Sequence, residues 1–414
     1  MEGSIPSLRC AAALSTEPNL DAAVGEVADD LDSQLGGDRP DLTFVFATHH
    51  YGGDLARTAA EIVEATGTAA LAGCTGGWTV GIGREAETSP GLTVLAATLP
   101  QTRVRVAHLA PPAEGGGAVS DLDIDDPTRT GLLLLADPFS FPVGSWLRDF
   151  HGRYPDLTLA GGLASGGVAP GQNVLFAGAD PVNSGAVAVT LEGETRLLTA
   201  VSQGCRPIGP PLVATKVDRN VVLEFRGKPA AKVLFEVIQD LDEEDRKLFQ
   251  SGPFLGRAID AAKGSFRSGD LLVRAIMGLD PERHAVAVAD DEIRAGTTLQ
   301  LMVRDRDSAR DEMHTQLEDA GLASLGEAAG GLLFTCGGRG QGMFGESNPD
   351  AAQVEARFGP GFPLAGFSAA GEIGEVSGEP FLHSFTASAA FFVPRSGGID
   401  SSSPTTRSGD TDDQ

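Results

Sequence analysis

Leu71-Ala72-Gly73-Cys74, Leu159-Ala160-Gly161-Gly162 and Leu364-Ala365-Gly366-Phe367 are three copies of one phrase. Each follows a strand-like apolar run and a helical pattern, and each precedes a glycine-containing turn and further β-like segments. In the first copy, residues 42–47 read as a strand. Asp54 reads as the N-cap of a helix with Leu55, Ala59, Ile62 and Val63 on one face, and Gly67 as its stop. In the second, residues 132–135 form the strand. Ser145 is the expected cap of a short helix carrying Trp146, Leu147 and Phe150, which Pro155 ends. In the third, residues 331–336 form the strand. Asn348 and Pro349 open a helix with Ala352, Val354 and Phe358, and Gly359 stops it. The repeat predicts an α+β fold: mixed β-sheets flanked by helices, in two related halves with internal strand-helix-strand repeats. The phrase reads as a joint where a small residue lets a neighbouring segment come close.

The chain has 414 residues, which suits two to three domains. The least structured interior link lies at 203–211. It divides the chain into expected domains 1–203 and 204–394, followed by a polar, acidic tail at 395–414 that is expected to be disordered. Between the second and third copies, residues 212–225 alternate like a hairpin with Arg219-Asn220 at its turn, and 271–277 and 285–289 read as strands. A formal charge of −26 repels phosphate backbones and anionic lipid, so neither nucleic acid nor a membrane surface is an expected partner. Cys10, Cys74, Cys205 and Cys336 form no C-x-x-C pair. Free thiols, no visible signal peptide and no apolar run of membrane-spanning length make the expected location cytoplasmic.

Cys336 ends an apolar strand and enters Gly337-Gly338-Arg339-Gly340. Bare glycine backbone lets N–H groups approach a ligand, and Arg339 can pair with a carboxylate or phosphate. Glu372, in Gly371-Glu372-Ile373-Gly374, can answer a cationic group. A nucleophilic Cys336 needs a lowered pKa and a base, for which His383 is the candidate. Gly366-Phe367-Ser368-Ala369-Ala370-Gly371 misses the G-x-S-x-G spacing by one residue, so no catalytic residue is assigned. His49 and His50 are adjacent on an extended segment and point to opposite faces, which argues against a metal pair, and no metal site is expected.

Residues 72–77 (AGCTGG), 272–280 (LVRAIMGLD), 335–340 (TCGGRG), 365–374 (AGFSAAGEIG) and 382–386 (LHSFT), in this order, resemble the FIST family over nearly the whole chain. The resemblance implies an N-terminal and a C-terminal FIST domain, sensory modules for small ligands, with amino acids suggested. Relatives are fused to signalling domains or F-boxes, and some bind haem to sense nitric oxide. Where many relatives carry Ala-Gly-Glu after the first Gly-Cys, this chain has Thr75-Gly76-Gly77-Trp78. The expected function is therefore reversible binding of a small polar metabolite such as an amino acid, with output through a signalling partner protein. The expected ligand residues are Cys336, Gly337, Gly338, Arg339, Gly340, Ser368, Glu372, His383 and Cys74. The competing readings are a cysteine-dependent or other small-molecule enzyme and a haem gas sensor. No cofactor is expected. A haem would need one of His49, His50, His108, His383 or Cys336 as its axial ligand.

Overall fold

The computed structural model describes residues 7–111, 122–250, 252–318 and 328–395. The expected disordered tail lies outside the described residues, apart from Arg395. Three six-stranded mixed sheets share one strand order. In the first, Leu42–Thr48 and Leu71–Gly76 pair in parallel, and Leu92–Thr98 returns antiparallel beside Leu42–Thr48, with Arg9–Ser15 at the edge. In the second, Thr130–Ala136 and Thr158–Leu163 are the parallel pair, followed outward by Ala186–Gly193 and Thr102–Leu109. In the third, Gly330–Cys336 and Leu364–Ala369 are the parallel pair, followed by Thr386–Pro394 and Thr195–Gln203. The α+β class is the one the sequence predicts.

Each sheet is completed by a hairpin taken from another repeat. Thr79–Gly81 and Arg84–Ala86 leave the first repeat and join the third sheet. Glu372–Val376 and Glu379–His383 leave the third repeat and join the second. Leu175–Ala177 and Asp180–Val182 leave the second repeat and join the first. The exchange is cyclic, so each sheet depends on the one before it. Residues on both sides of the link at 203–211 share sheets, as where Thr195–Gln203 pairs with Thr386–Pro394.

The three sheets turn their apolar faces toward a common centre, where Phe44, Phe46, Leu133, Val189, Phe334, Phe367 and Phe392 meet. Phe46 and Phe367, from different sheets, have ring centroids 4.9 Å apart. Burying each such ring contributes about 2–3 kcal/mol. Helices cover the outer faces: Leu20–Leu35 and Leu55–Thr66 on the first sheet, Val143–Arg153 on the second, Arg306–Glu318 and Pro349–Phe358 on the third.

The repeated glycine has a specific cause. Gly73, Gly161 and Gly366 sit opposite Val45, Leu134 and Leu333 in the three parallel pairs. A Cβ at these glycines would lie 1.8, 1.9 and 1.9 Å from the facing carbonyl oxygen, far inside contact distance. Local signals are less exact. Gly67 ends its helix at φ 64°, as expected, but Asp54 makes no capping bond and its carboxylate meets Arg57 instead. The second repeat's helix starts at Val143, ahead of Ser145, whose hydroxyl donates to Pro142 O.

Where the phrases end, the three repeats bond to one another. Ser165 N–H donates to Thr75 O at 3.1 Å and Ala370 N–H to Leu163 O at 3.0 Å. At the third corner Gly77 N–H reaches Ser165 Oγ at 2.8 Å, and that hydroxyl donates to Ser368 O. This side-chain bridge stands beside the backbone bond from Ser368 N–H to Trp78 O at 2.9 Å.

A fourth sheet is wholly antiparallel. Cys205–Asp218, Thr298–Arg304, Pro253–Ala258, Leu271–Asp280, Ala285–Val288 and Val221–Phe225 follow in order. Val221–Phe225 then pairs back with Cys205–Asp218, closing a barrel. Its core holds Leu212, Phe225, Leu255, Val286 and Leu301. The expected hairpin turns at Arg219-Asn220.

Candidate functional site

The residues expected to bind a ligand converge at the carboxyl end of the third parallel pair, but most of them face inward. Cys336 is half-buried, Gly337 is exposed and Ser368 is buried; a Cβ on Gly337 would lie 3.4 Å from Ser368 Oγ. The expected free loop winds into a short helix at Gly340–Phe344, where Glu87 accepts the Gln341 N–H. Arg339 does not offer its guanidinium to an outside anion. Its side chain is fully buried and closes on Asp350 through Nε at 2.8 Å and Nη2 at 2.7 Å. Thr335 Oγ1 also donates to Asp350 at 2.7 Å. Such a closed bidentate pair has little capacity left for a ligand.

Glu372 is wholly buried, and Oε2 accepts the Thr386 N–H at 3.1 Å. Burial raises its carboxyl well above the usual range, which weakens it as a partner for a cation. Cys336 beside it is pushed up to about 12 by burial and then by Glu372. His383 is pulled down to about 4 by burial, and its Nε2 meets Gly374 O at 3.1 Å. A neutral thiol and a neutral imidazole committed elsewhere do not make a nucleophile and base. Cys74 lies in the central core with Phe46, away from the helix, and burial raises its thiol too. The residues open to a haem reading do not gather. His49 Nε2 meets Ser165 O, His50 Nδ1 meets Thr48 Oγ1 and His108 Nε2 meets Ser184 O. None of these, nor His383 or Cys336, lines the large cleft described next.

That cleft, of about 760 Å³, opens between the barrel, the helix Val143–Arg153 and the hairpin that the third repeat lends to the second sheet. Cavities of roughly 300–1,000 Å³ suit small metabolites. Arg257 and Arg274, mostly buried, share the buried carboxylate of Asp290 through Nε atoms at 2.7 and 3.2 Å. Arg257 Nη2 also meets Glu292 at 2.5 Å, and Arg148 meets Glu292 from the helix. Three guanidiniums therefore share two carboxylates. Burial lowers the pKa of Arg274, and the Arg257 charge adds to the effect, so an anion there would be welcome. Arg219 stands at the rim in a left-handed turn of φ 54°, paired with no carboxylate among the described residues. Asp291 and Glu379 are exposed at the same rim, and His151 lines the wall with Nδ1 unbonded.

Sequence reasoning missed this cleft because its parts come from three distant stretches. The signal that could have found part of it is Arg274, a charge set in the apolar strand Leu271–Asp280. No helix among the described residues is long and apolar enough to cross a membrane. Among those residues no His/Cys/Asp/Glu group is arranged to hold a metal.

The FIST N domain model matches residues 41–228, and the FIST C domain model matches 230–375. An uncharacterized protein of Mycobacterium tuberculosis is 35% identical over 387 residues, covering 93% of this chain and all of the relative. One of Mycobacterium bovis is 34% identical, covering 93% of this chain and 99% of its own length. FIST domains are associated with sensing in signal transduction. With both domain models matched in order and relatives aligned along nearly their whole length, this chain belongs to the FIST family.

Proposed function

We propose that this chain is a sensory protein that reversibly binds a small polar metabolite, such as an amino acid, in the cleft between the barrel and the second sheet. The observation that carries the reading is the cluster in which Arg148, Arg257 and Arg274 share the two carboxylates of Asp290 and Glu292 in the wall of a cleft. The chain is strongly acidic, yet this cleft gathers Arg148, Arg219, Arg257 and Arg274, which offer guanidinium to a ligand carboxylate. The rim carboxylates of Asp291 and Glu379 supply acceptors for an ammonium group. This moves the ligand from the Cys336–Gly340 loop, where Arg339 and Glu372 were expected to hold it, to Arg274 and its neighbours. The four free cysteines support a cytoplasmic setting. Output through a signalling partner protein remains part of the proposal.

The test is a thermal-shift screen of the common amino acids, followed by calorimetry on any that raises Tm. Binding that is lost in Arg274→Gln and kept in Arg339→Lys supports the cleft. No stabilising amino acid, or binding indifferent to Arg274→Gln, overturns it.

A further inference from the structure

The cleft and the glycine loop at Cys336 are connected through one residue. Phe385 has φ 62°, a left-handed backbone that a residue with a side chain adopts only when its surroundings impose it. Its ring lies 4.3 Å, centroid to centroid, from Phe254 of the barrel, with the Arg304 guanidinium 5.8 Å away. On its other side it rests against bare backbone: a Cβ on Gly338 would fall 3.0 Å from Phe385 Cε1. Gly338 N–H in turn donates to the Cys336 sulfur at 3.4 Å. The Phe385 carbonyl accepts the Gly204 N–H at 2.7 Å, at the point where the chain crosses into the barrel. The preceding Leu382 and Ser384 line the cleft, and Leu382 O accepts from Arg274 Nη1 at 3.2 Å.

We propose that Phe385 is a two-position wedge through which occupancy of the cleft is passed to the Cys336–Gly338 loop. The proposal rests on the cleft reading above and names how that site is read out. A ligand carboxylate competes with Leu382 O for Arg274. Once released, the short connection 384–385 relaxes its left-handed backbone and withdraws the ring from Gly338. Gly337 and Gly338 have no side chains to anchor them, so the loop loosens and Cys336 becomes accessible. A change in ionic pairing on one side of the barrel is thereby converted into a change of surface at the end of the three-sheet core. A discrete element with two arrangements, biased from both ends, is what coupling between sites requires.

The experiment uses the full chain and follows labelling of each cysteine by N-ethylmaleimide, with peptide mass spectrometry as the readout. Phe385→Gly removes the ring and the backbone penalty together. It is expected to speed labelling of Cys336 about tenfold, with the fully buried Cys74, in the three-sheet core, unchanged as a control for global loosening. Phe385→Leu keeps an apolar side chain in the slot, and an intermediate rate is expected; it supplies the comparison if the glycine variant unfolds. Wild-type labelling rates at Cys336 in these variants overturn the wedge, as does equal acceleration at Cys74. The ligand arm repeats the labelling with the amino acid that most raises the wild-type Tm. Faster labelling of Cys336 in wild type, and no further change in Phe385→Gly, supports the coupling. An amino acid that binds and leaves Cys336 labelling unchanged overturns the coupling while the cleft reading stands. If no amino acid raises Tm, the cleft reading fails, and the variant arm still decides whether Phe385 guards the loop.

Discussion

Arg339 and Arg274 are both arginines in the interior of this protein, and they differ in what answers them. Arg339, in the three-sheet core, closes both arms of its fork on Asp350, one charge to one charge. Arg274, where the barrel meets the second sheet, shares Asp290 with Arg257 and has no carboxylate to itself. A buried pair in balance holds a fold together. A cluster whose guanidiniums share carboxylates beside an open cleft stays within reach of solvent and of an anion. The comparison teaches that an arginine beside glycines is a weaker guide to binding than how its carboxylate partners are shared.

The largest effect is expected from breaking the balanced pair. Asp350→Ala leaves Arg339 buried and alone, at a cost of about 3–5 kcal/mol in urea unfolding. The double change Arg339→Met with Asp350→Leu is expected to recover much of that loss. A single-variant cost below about 1 kcal/mol would mean the pair is not what orders this end of the core.

Next comes the shared cluster. Arg274→Gln is expected to weaken amino-acid binding by about 10- to 100-fold in calorimetry, the loss of one charge-assisted hydrogen bond. Its effect on unfolding should be smaller than that of Asp350→Ala, because Asp290 keeps Arg257. Equal damage to folding from both variants would erase the distinction drawn here.

A third expectation concerns pH. Burial holds the Glu85 and Glu312 carboxyls up at about 8 and Glu375 at about 7, from an ordinary value of 4.5. A raised carboxyl contributes its stability in full below its unfolded pKa. The contribution is lost as pH climbs to the folded value, because the unfolded chain has already released its proton. Each such group lowers stability by about 1.4 kcal/mol per pH unit across that window. His383 acts oppositely: pulled down to about 4, it contributes above its ordinary 6.5 and loses that contribution as pH falls toward 4. Between pH 6.5 and 8 only the carboxyls act among these four groups, so Tm is expected to fall there. Glu312→Gln should flatten the slope, and an unchanged slope in that variant would contradict the assignment.

The smallest effect is expected at the hydroxyl that bridges the third corner. Ser165→Ala removes a bridge between Gly77 N–H and Ser368 O, at about 1 kcal/mol in the same unfolding measurement. No measurable loss would show that the corner closes equally well without it.

Much of the fold could be read from the chain, for local reasons. An apolar strand, an amphipathic helix stopped by Gly67 or Gly359, and a glycine in the next strand are patterns within one repeat, and all three repeats carry them. The site was less legible. The glycines at 337 and 338 read as backbone open to a ligand, whereas Gly338 lies against Phe385 and Gly337 against Ser368 of the same chain. Asp350 stands eleven residues after Arg339 at the start of a helix, where it reads equally well as a favourable first-turn charge.

The sequence by itself determined the repeating unit, the acidic surface and the family, because periodicity, composition and ordered motifs are properties of neighbouring residues. Only the tertiary structure decided which sheet each hairpin completes and which carboxylate each arginine meets. Hairpin Thr79–Gly81 with Arg84–Ala86 pairs with a strand at Leu364–Ala369, and Arg148 meets Glu292 across two parts of the molecule. These contacts are set by how three apolar faces close on one core and where the barrel comes to rest. No local spacing encodes either.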